Sequence, residues 1–114
     1  MKTKVTERKE RLERELKRIL DVLKKEYQPE KIILFGSLAQ GEVHEWSDLD
    51  LAIIKESREK FYDRIGEVLT MVDSKVGLNV VVYTPQEAQR MTEEDNYFFV
   101  DEIIGRGKVL YEKK

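Results

Sequence analysis

The chain has no cysteine, so neither a disulfide nor a thiolate metal site can form. It has no long hydrophobic run either, and nothing approaches the ~20 apolar residues that a membrane-spanning helix needs. The N-terminus lacks the basic-then-apolar order of a secretory leader, so a cytoplasmic location is expected. Excess charge of one sign is also missing: 21 Lys and Arg face 23 Asp and Glu. Without an overall basic field, direct nucleic-acid binding is not expected. Proline occurs twice, and tryptophan and histidine once each, so these residues mark individual positions.

With 114 residues, the chain is expected to form a single domain over 1–114, burying about two-thirds of the unfolded surface. Periodicity predicts helices alternating with strands. A first helix is expected from about Thr6 to Tyr27, with Leu12, Leu16, Ile19, Leu20 and Leu23 as its apolar stripe and Pro29 ending it. On its wet side, Glu7 with Arg11, Glu10 with Arg14, and Glu13 with Lys17 are spaced for ion pairs along one helix. The charged run Lys2 to Arg18 therefore reads as a solvated face. Ser57 is placed to cap a second helix bearing Phe61, Ile65, Val68, Leu69 and Val72, and Gly77 to close the connection that follows. Leu78 to Tyr83 reads as a strand. Thr84-Pro85-Gln86-Glu87 has the form of a capping box with proline at the first helical position. Thr92 with Asp95 repeats the capping pattern before a last helix carrying Tyr97, Val100 and Ile104, and Gly105 and Gly107 lead into a short strand, Lys108 to Tyr111. Tyr83, Tyr97, Phe98 and Phe99 read as core or interface aromatics.

The chemistry is concentrated between Lys31 and Ile54. Ile32 to Phe35 is an apolar run that stops at Gly36, as a buried strand does when it ends in a tight turn. Gly36 permits close approach of backbone to a ligand, and Ser37 adds a hydroxyl and an N–H. After ten intervening residues comes Asp48-Leu49-Asp50, within a second apolar segment, Ser47 to Ile54. In a strand Asp48 and Asp50 share one face, while Leu49, Leu51 and Ile53 take the other. Two adjacent carboxylates repel, and a hard divalent cation makes such a pair favourable. The alternative is that they cap backbone N–H groups at a loop end. His44 reads as a solvated side chain in a polar connection. Trp46 reads as the buried hinge of the loop, with stacking on a base as the competing role.

The segment Leu34 to Ile54 (LFGSLAQGEVHEWSDLDLAII) resembles the signature of the minimal nucleotidyltransferases of the DNA polymerase beta superfamily: Gly-Ser, ten residues, Asp-x-Asp. The order of elements and the closing Gly107-Lys108-Val109-Leu110-Tyr111 are similar too. The resemblance implies an α/β nucleotidyltransferase fold, a small mixed β-sheet with flanking α-helices. It implies that Gly36 and Ser37, with Gln40 and Ser47 in the same segment, bind a nucleoside triphosphate such as ATP. Asp48 and Asp50 would be metal ligands for Mg2+ and, with Asn79, the catalytic positions. The reaction implied is transfer of a nucleoside monophosphate to a hydroxyl, with release of pyrophosphate. Members of this group often act as antitoxins to a small helical HEPN-domain protein, which is the partner implied here. A homodimer through an exposed apolar helix face is compatible with so short a chain.

Two positions depart from the family pattern. Asn79 stands where a third aspartate is usual, six residues before the proline that opens the next helix, and Gln40 replaces a common arginine. An amide supplies neither negative charge nor a base. A plain structural role for Asn79 at a strand start is the competing reading. These departures leave a second function open: a catalytically weakened nucleotide binder that neutralises its partner by complex formation.

Overall fold

The computed structural model describes residues 1–114. Helix α1 runs from Lys4 to Val22, capped by the Thr3 hydroxyl, which accepts from the Thr6 N–H at 3.0 Å. It continues into a wider π-helical turn, Leu23–Tyr27, and stops at Gln28, whose φ of 53° lies in the left-handed region just before Pro29. The remaining elements are β1 (Lys31–Phe35), a single-turn α2 (Gly36–Gln40), β2 (Leu49–Ile54), α3 (Phe61–Val72), β3 (Leu78–Tyr83), α4 (Pro85–Glu93), a π helix (Phe98–Gly105) and β4 (Lys108–Glu112).

The four strands form one mixed sheet in the order β3-β2-β1-β4. β1 is antiparallel to both β2 and β4, whereas β2 and β3 are parallel. That parallel pair needs a crossover, and α3 supplies it. Alternation along the strands divides the core. Ile32, Leu34, Leu49, Leu51, Ile53, Val80 and Val82 pack under α1 and α3, against Leu12, Leu16, Ile19, Leu23, Val68 and Val72. Ile33, Ala52 and Ile54 face the other way and are covered by Phe99 and Ile103 of the π helix. The mixed α/β architecture expected from the sequence is the one observed.

Several local expectations are corrected. The Ser57 hydroxyl accepts from the Glu59 N–H at 3.0 Å in a turn upstream of α3, and Lys60, not Ser57, precedes the helix. α3 itself ends at Asp73 in the left-handed region (φ 43°), and Gly77 closes the connection into β3, as expected. Thr92 bonds back to the Ala88 carbonyl within α4, and the cap of the last helix is Asn96, whose side chain accepts from the Phe99 N–H at 3.0 Å. Phe99 and Ile103 are the buried positions there, while Tyr97 and Ile104 are exposed. The wider π turn shifts the phase away from the ordinary helical period.

The charged helix α1 is also not merely solvated. Glu15 is buried and its carboxylate takes both Arg18, at 2.9 and 2.7 Å, and the Lys75 N–H. Arg18 reaches on to the Val72 carbonyl at 2.7 Å, tying α1 to the end of α3. Arg18, with help from the Lys75 N–H and against the cost of burial, holds the Glu15 carboxyl at about 2. The side chain of Arg64, only 4% exposed, forms a two-pronged pair with Glu87 at 2.7 and 2.9 Å and donates to the Val82 carbonyl. Glu87 is at the same time the far half of the capping box with Thr84.

Two predictions follow from these ion pairs. Glu87→Ala leaves a buried guanidinium unpaired and removes a cap, and should lower unfolding stability by about 3–5 kcal/mol, read by urea denaturation. Because the folded Glu15 carboxyl lies below its ordinary value of 4.5, its contribution is complete above that pH and lost as pH falls toward about 2. Glu15→Gln should flatten the acid limb of a stability–pH curve over that window.

Candidate active site

The antiparallel register sets Phe35 opposite Asp50, and the parallel register sets Asp50 opposite Asn79. The end of β1, the start of β2 and the start of β3 therefore lie side by side. Gly36 follows Phe35 with φ +77°, and a Cβ there would run into the Asp50 carboxylate. The glycine is needed twice, for its left-handed backbone and for the bare surface on which Asp50 lies. Gly77 has the same bare-surface role for the other acid. Its Cα faces the Asp48 carboxylate, again with no room for a methyl group. The Gly77 carbonyl accepts the Leu49 N–H at 3.0 Å, which fixes this edge. The two carboxylates thus stand between two glycine turns, Gly36 on the β1 side and Gly77 on the β3 side.

Each acid has a single side-chain partner. Asn79 donates its Nδ2–H to Asp50 Oδ1 at 3.0 Å. Arg8, from α1, donates through Nη2 to Asp48 Oδ1 at 3.4 Å and through Nε to the Ser47 carbonyl at 2.8 Å. Burial pushes the Asp50 carboxyl up from its ordinary value; the Asn79 hydrogen bond opposes this, and the neighbouring Asp48 charge adds to it. The remaining carboxylate oxygens have no cation beyond Arg8. No third His, Cys, Asp or Glu joins the pair. This donor set fits one hard divalent ion that completes its shell from phosphate oxygens and water. It does not provide the third carboxylate that would help to hold a second ion.

The other residues singled out from the sequence are distributed around this centre. Ser37 lies in the first turn of α2, directly after Gly36. The Gln40 side chain points to the far end of that turn and donates to the Arg106 carbonyl at 2.6 Å. Ser47 is buried, and its hydroxyl accepts the His44 N–H at 2.8 Å while its own N–H returns to the His44 carbonyl. It braces the loop that carries Asp48. Trp46 is not the buried hinge expected of it: it is 76% exposed. The hinge is Ser47, small enough to sit under the loop while its hydroxyl closes the turn. Glu87, expected as part of the capping box, is committed to Arg64 and Thr84 and supplies no third carboxylate.

Sequence reasoning missed Arg8. Beside the carboxylates a cleft of about 420 Å3 is lined by Phe35, Asp50, Asn79, Val81 and Phe98. Phe98 meets Phe35 edge-on, with ring centroids 5.6 Å apart. A separate hollow of about 570 Å3, lined by Lys31, Ile54, Ala88 and Phe99, touches none of the motif residues.

Residues 17–114 match the family described as Polymerase beta, Nucleotidyltransferase. The chain belongs to the polymerase beta nucleotidyltransferase family. A protein of Methanocaldococcus jannaschii, provisionally named protein adenylyltransferase MJ0604, is 31% identical over 102 residues, which cover 87% of this chain and 97% of that protein. A crystal structure of a provisionally named nucleotidyltransferase from Sulfolobus solfataricus superposes with a TM-score of 0.66 at 17% identity, covering 99% of this chain and 91% of the other. A toxin–antitoxin structure with AMP-PNP gives a TM-score of 0.53 at 20% identity, over 86% of this chain and 73% of that one. The resemblance read from Leu34 to Ile54 is thereby confirmed at the level of family and fold.

The two glycine contacts generate a paired prediction. Gly36→Ala should cost about 1–2 kcal/mol from the left-handed backbone alone, seen as a lowered midpoint in thermal unfolding. Gly77→Ala has no such backbone penalty and should instead displace Asp48, weakening Mn2+ binding about 10- to 100-fold by isothermal titration.

Proposed function

We propose that this nucleotidyltransferase-family chain binds a nucleoside triphosphate, ATP in the first instance, with Mg2+, and transfers its nucleoside monophosphate to a hydroxyl on a partner protein. The observation that carries the reading is the Asp50 carboxylate lying on the bare Gly36 backbone, with Asp48 beside it. A triphosphate held at the Gly36–Ser37 turn meets the carboxylates without an intervening side chain. Asp48 and Asp50 would hold the ion, which when bound neutralises phosphate charge and polarises the reacting phosphorus.

The chain's own residues set up the rest. Gly36 and Ser37 offer N–H groups and a hydroxyl to phosphate oxygens. Asn79 keeps Asp50 in place, and Arg8 with Ser47 steadies Asp48. The name of the M. jannaschii relative, a protein adenylyltransferase, supports AMP as the transferred group and a protein as acceptor. The toxin–antitoxin neighbours support an antitoxin role; a HEPN-domain toxin as the partner is what the resemblance of the Gly-Ser and Asp-x-Asp motif implies. The chain is taken to act as one minimal domain, 1–114, in the cytoplasm.

A second reading is favoured by one contact. Because Asn79 donates to Asp50, it acts as a neutral brace and not as an anionic ligand. On that reading the site grips Mg–ATP, transfers poorly, and neutralises its toxin by binding it.

Labelled ATP, Mg2+ and a HEPN-domain toxin offered as acceptor separate the two. Asp50→Asn should abolish labelling of the acceptor in either case. Asn79→Asp should raise the transfer rate about tenfold or more, about 1.4 kcal/mol of barrier; an unchanged rate would reject Asn79 as the lost acidic position. If Asp48→Ala still protects against the toxin, complex formation is the mechanism; if protection is lost, transfer is.

A further inference from the structure

The sheet order leaves two strands with a free edge, β3 and β4. The β4 edge is blunted: its register slips opposite Ile32 and Ile33, and it carries the charges of Lys108 and Glu112. The β3 edge, Leu78 to Tyr83 (LNVVVY), has no charge, proline or bulge. Its parity is fixed by β2. The Gly77 and Tyr83 carbonyls accept the Leu49 and Lys55 N–H groups at 3.0 and 2.9 Å, so odd-numbered residues turn their backbone toward β2. Leu78, Val80 and Val82 turn theirs outward. The Val82 carbonyl is taken by Arg64 at 2.7 Å. No strand or side chain reaches the outward groups of Leu78 and Val80. Val80 is only 7% exposed, and a backbone N–H and C=O with so little access to water call for a partner.

The cleft of about 420 Å3 beside the carboxylates wraps this edge. Ile65 and Leu69 of α3 wall it on one face of the sheet; Phe35, Val81 and Phe98 wall it on the other, where Asp50 and Asn79 lie. Leu69 and Phe98 are both large apolar side chains left exposed. The edge thus offers backbone hydrogen bonds at its floor and apolar contact on both faces.

We infer that the open edge of β3 is the docking surface for an extended segment of the acceptor protein, which adds a fifth strand to the sheet. This rests on the transferase reading above and adds how the acceptor is held. A peptide backbone in extended form supplies the donors and acceptors that a strand edge lacks, at the matching spacing. The edge is continuous with the site: Asn79 lies between Leu78 and Val80 and donates to Asp50 at 3.0 Å, so the stretch that binds the segment also presents it to the acids. A second copy of the chain is a poorer occupant. With Arg64 on the Val82 carbonyl, only Leu78 and Val80 remain fully open, far short of the ~800 Å2 per partner of a stable dimer. Side chains alternate along an added strand. A hydroxyl-bearing residue on the Asp50 and Asn79 face therefore has its two immediate neighbours on the Ile65 and Leu69 face, and those neighbours are expected to be apolar.

A blocked pentapeptide alternating valine and threonine serves as the probe, with amide NMR of the full chain as the readout. It should shift the Leu78 and Val80 amide resonances and slow hydrogen exchange at the Val80 N–H about tenfold or more. A fully N-methylated form keeps the side chains and loses the backbone donors, and should bind about tenfold more weakly. Leu69→Lys, an exposed change on the α3 wall, should weaken binding of the parent peptide about fivefold. The inference is overturned by no shift at Leu78 and Val80, by shifts centred on β4, by an N-methylated peptide binding as tightly as its parent, or by equal affinity in Leu69→Lys. A free chain that sediments as a dimer and falls to monomer in Leu69→Lys would give the edge to a second copy and overturn it too. Mg–ATP binding by isothermal titration separates the two readings. Wild type that binds the peptide but not Mg–ATP would sink the transferase reading and leave the β3 edge standing as a peptide site, and the opposite result would sink the edge alone.

Discussion

The contact between the Asp50 carboxylate and the Gly36 backbone is the constraint on which the site depends. It exists because β1 and β2 run antiparallel in a register that puts Phe35 opposite Asp50, so the residue after Phe35 lands on the acid. A slip of one position would send Asp50 into the apolar layer under α1 and α3 and expose Leu49 and Leu51 instead. The core enforces the register: Ile32, Leu34, Leu49, Leu51 and Ile53 are buried on one face, and Ile33, Ala52 and Ile54 on the other. The packing that folds the sheet also aims the chemistry.

A second layer of control comes from residues far away in sequence. Arg8 holds the Ser47 carbonyl and Asp48 from α1, 39 and 40 positions upstream. Glu15 and Arg18 fasten that helix to the end of α3. Arg64 and Glu87 fasten α3 to the start of α4. Guanidinium groups suit these joints because their planar donors can serve a carboxylate and a backbone carbonyl at once. The family motif names the acids, but these arginines decide where the elements carrying them sit.

Much of the fold was legible because it is written in local pattern. The strand Leu78–Tyr83 and the capping box at Thr84 to Glu87 appear where alternation and cap chemistry place them. The Gly-Ser and Asp-x-Asp elements were legible as spacing, and their meeting follows from the sheet register. Other features were hidden for physical reasons. A helix wound with a wider turn does not show the ordinary period, so Ile103 joins the expected Phe99 as a buried position while Tyr97 and Ile104 stay exposed. Gly77 was legible as the close of the connection before β3, but not as the bare surface for Asp48, because the acid it accommodates comes from another strand. Arg8 was indistinguishable from its solvated neighbours, since nothing along one helix reveals a partner across the fold. Trp46 was misplaced because size and apolarity alone argue for burial, and only the tertiary arrangement showed it outside.

The pairing of a half-buried Asp50 with a neighbouring Asp48 carries a further consequence. Of the two acids Arg8 touches only Asp48, and Asp50 has a neutral amide as its one side-chain partner, so a like charge stands beside a half-buried carboxylate. Such an arrangement subtracts from the folded state's margin whenever the acids stand alone. Anything cationic that settles there and has no affinity for the unfolded chain returns that margin by mass action. Occupancy and resistance to unfolding thus become one thermodynamic quantity, so that heat tolerance reports how well the site is supplied.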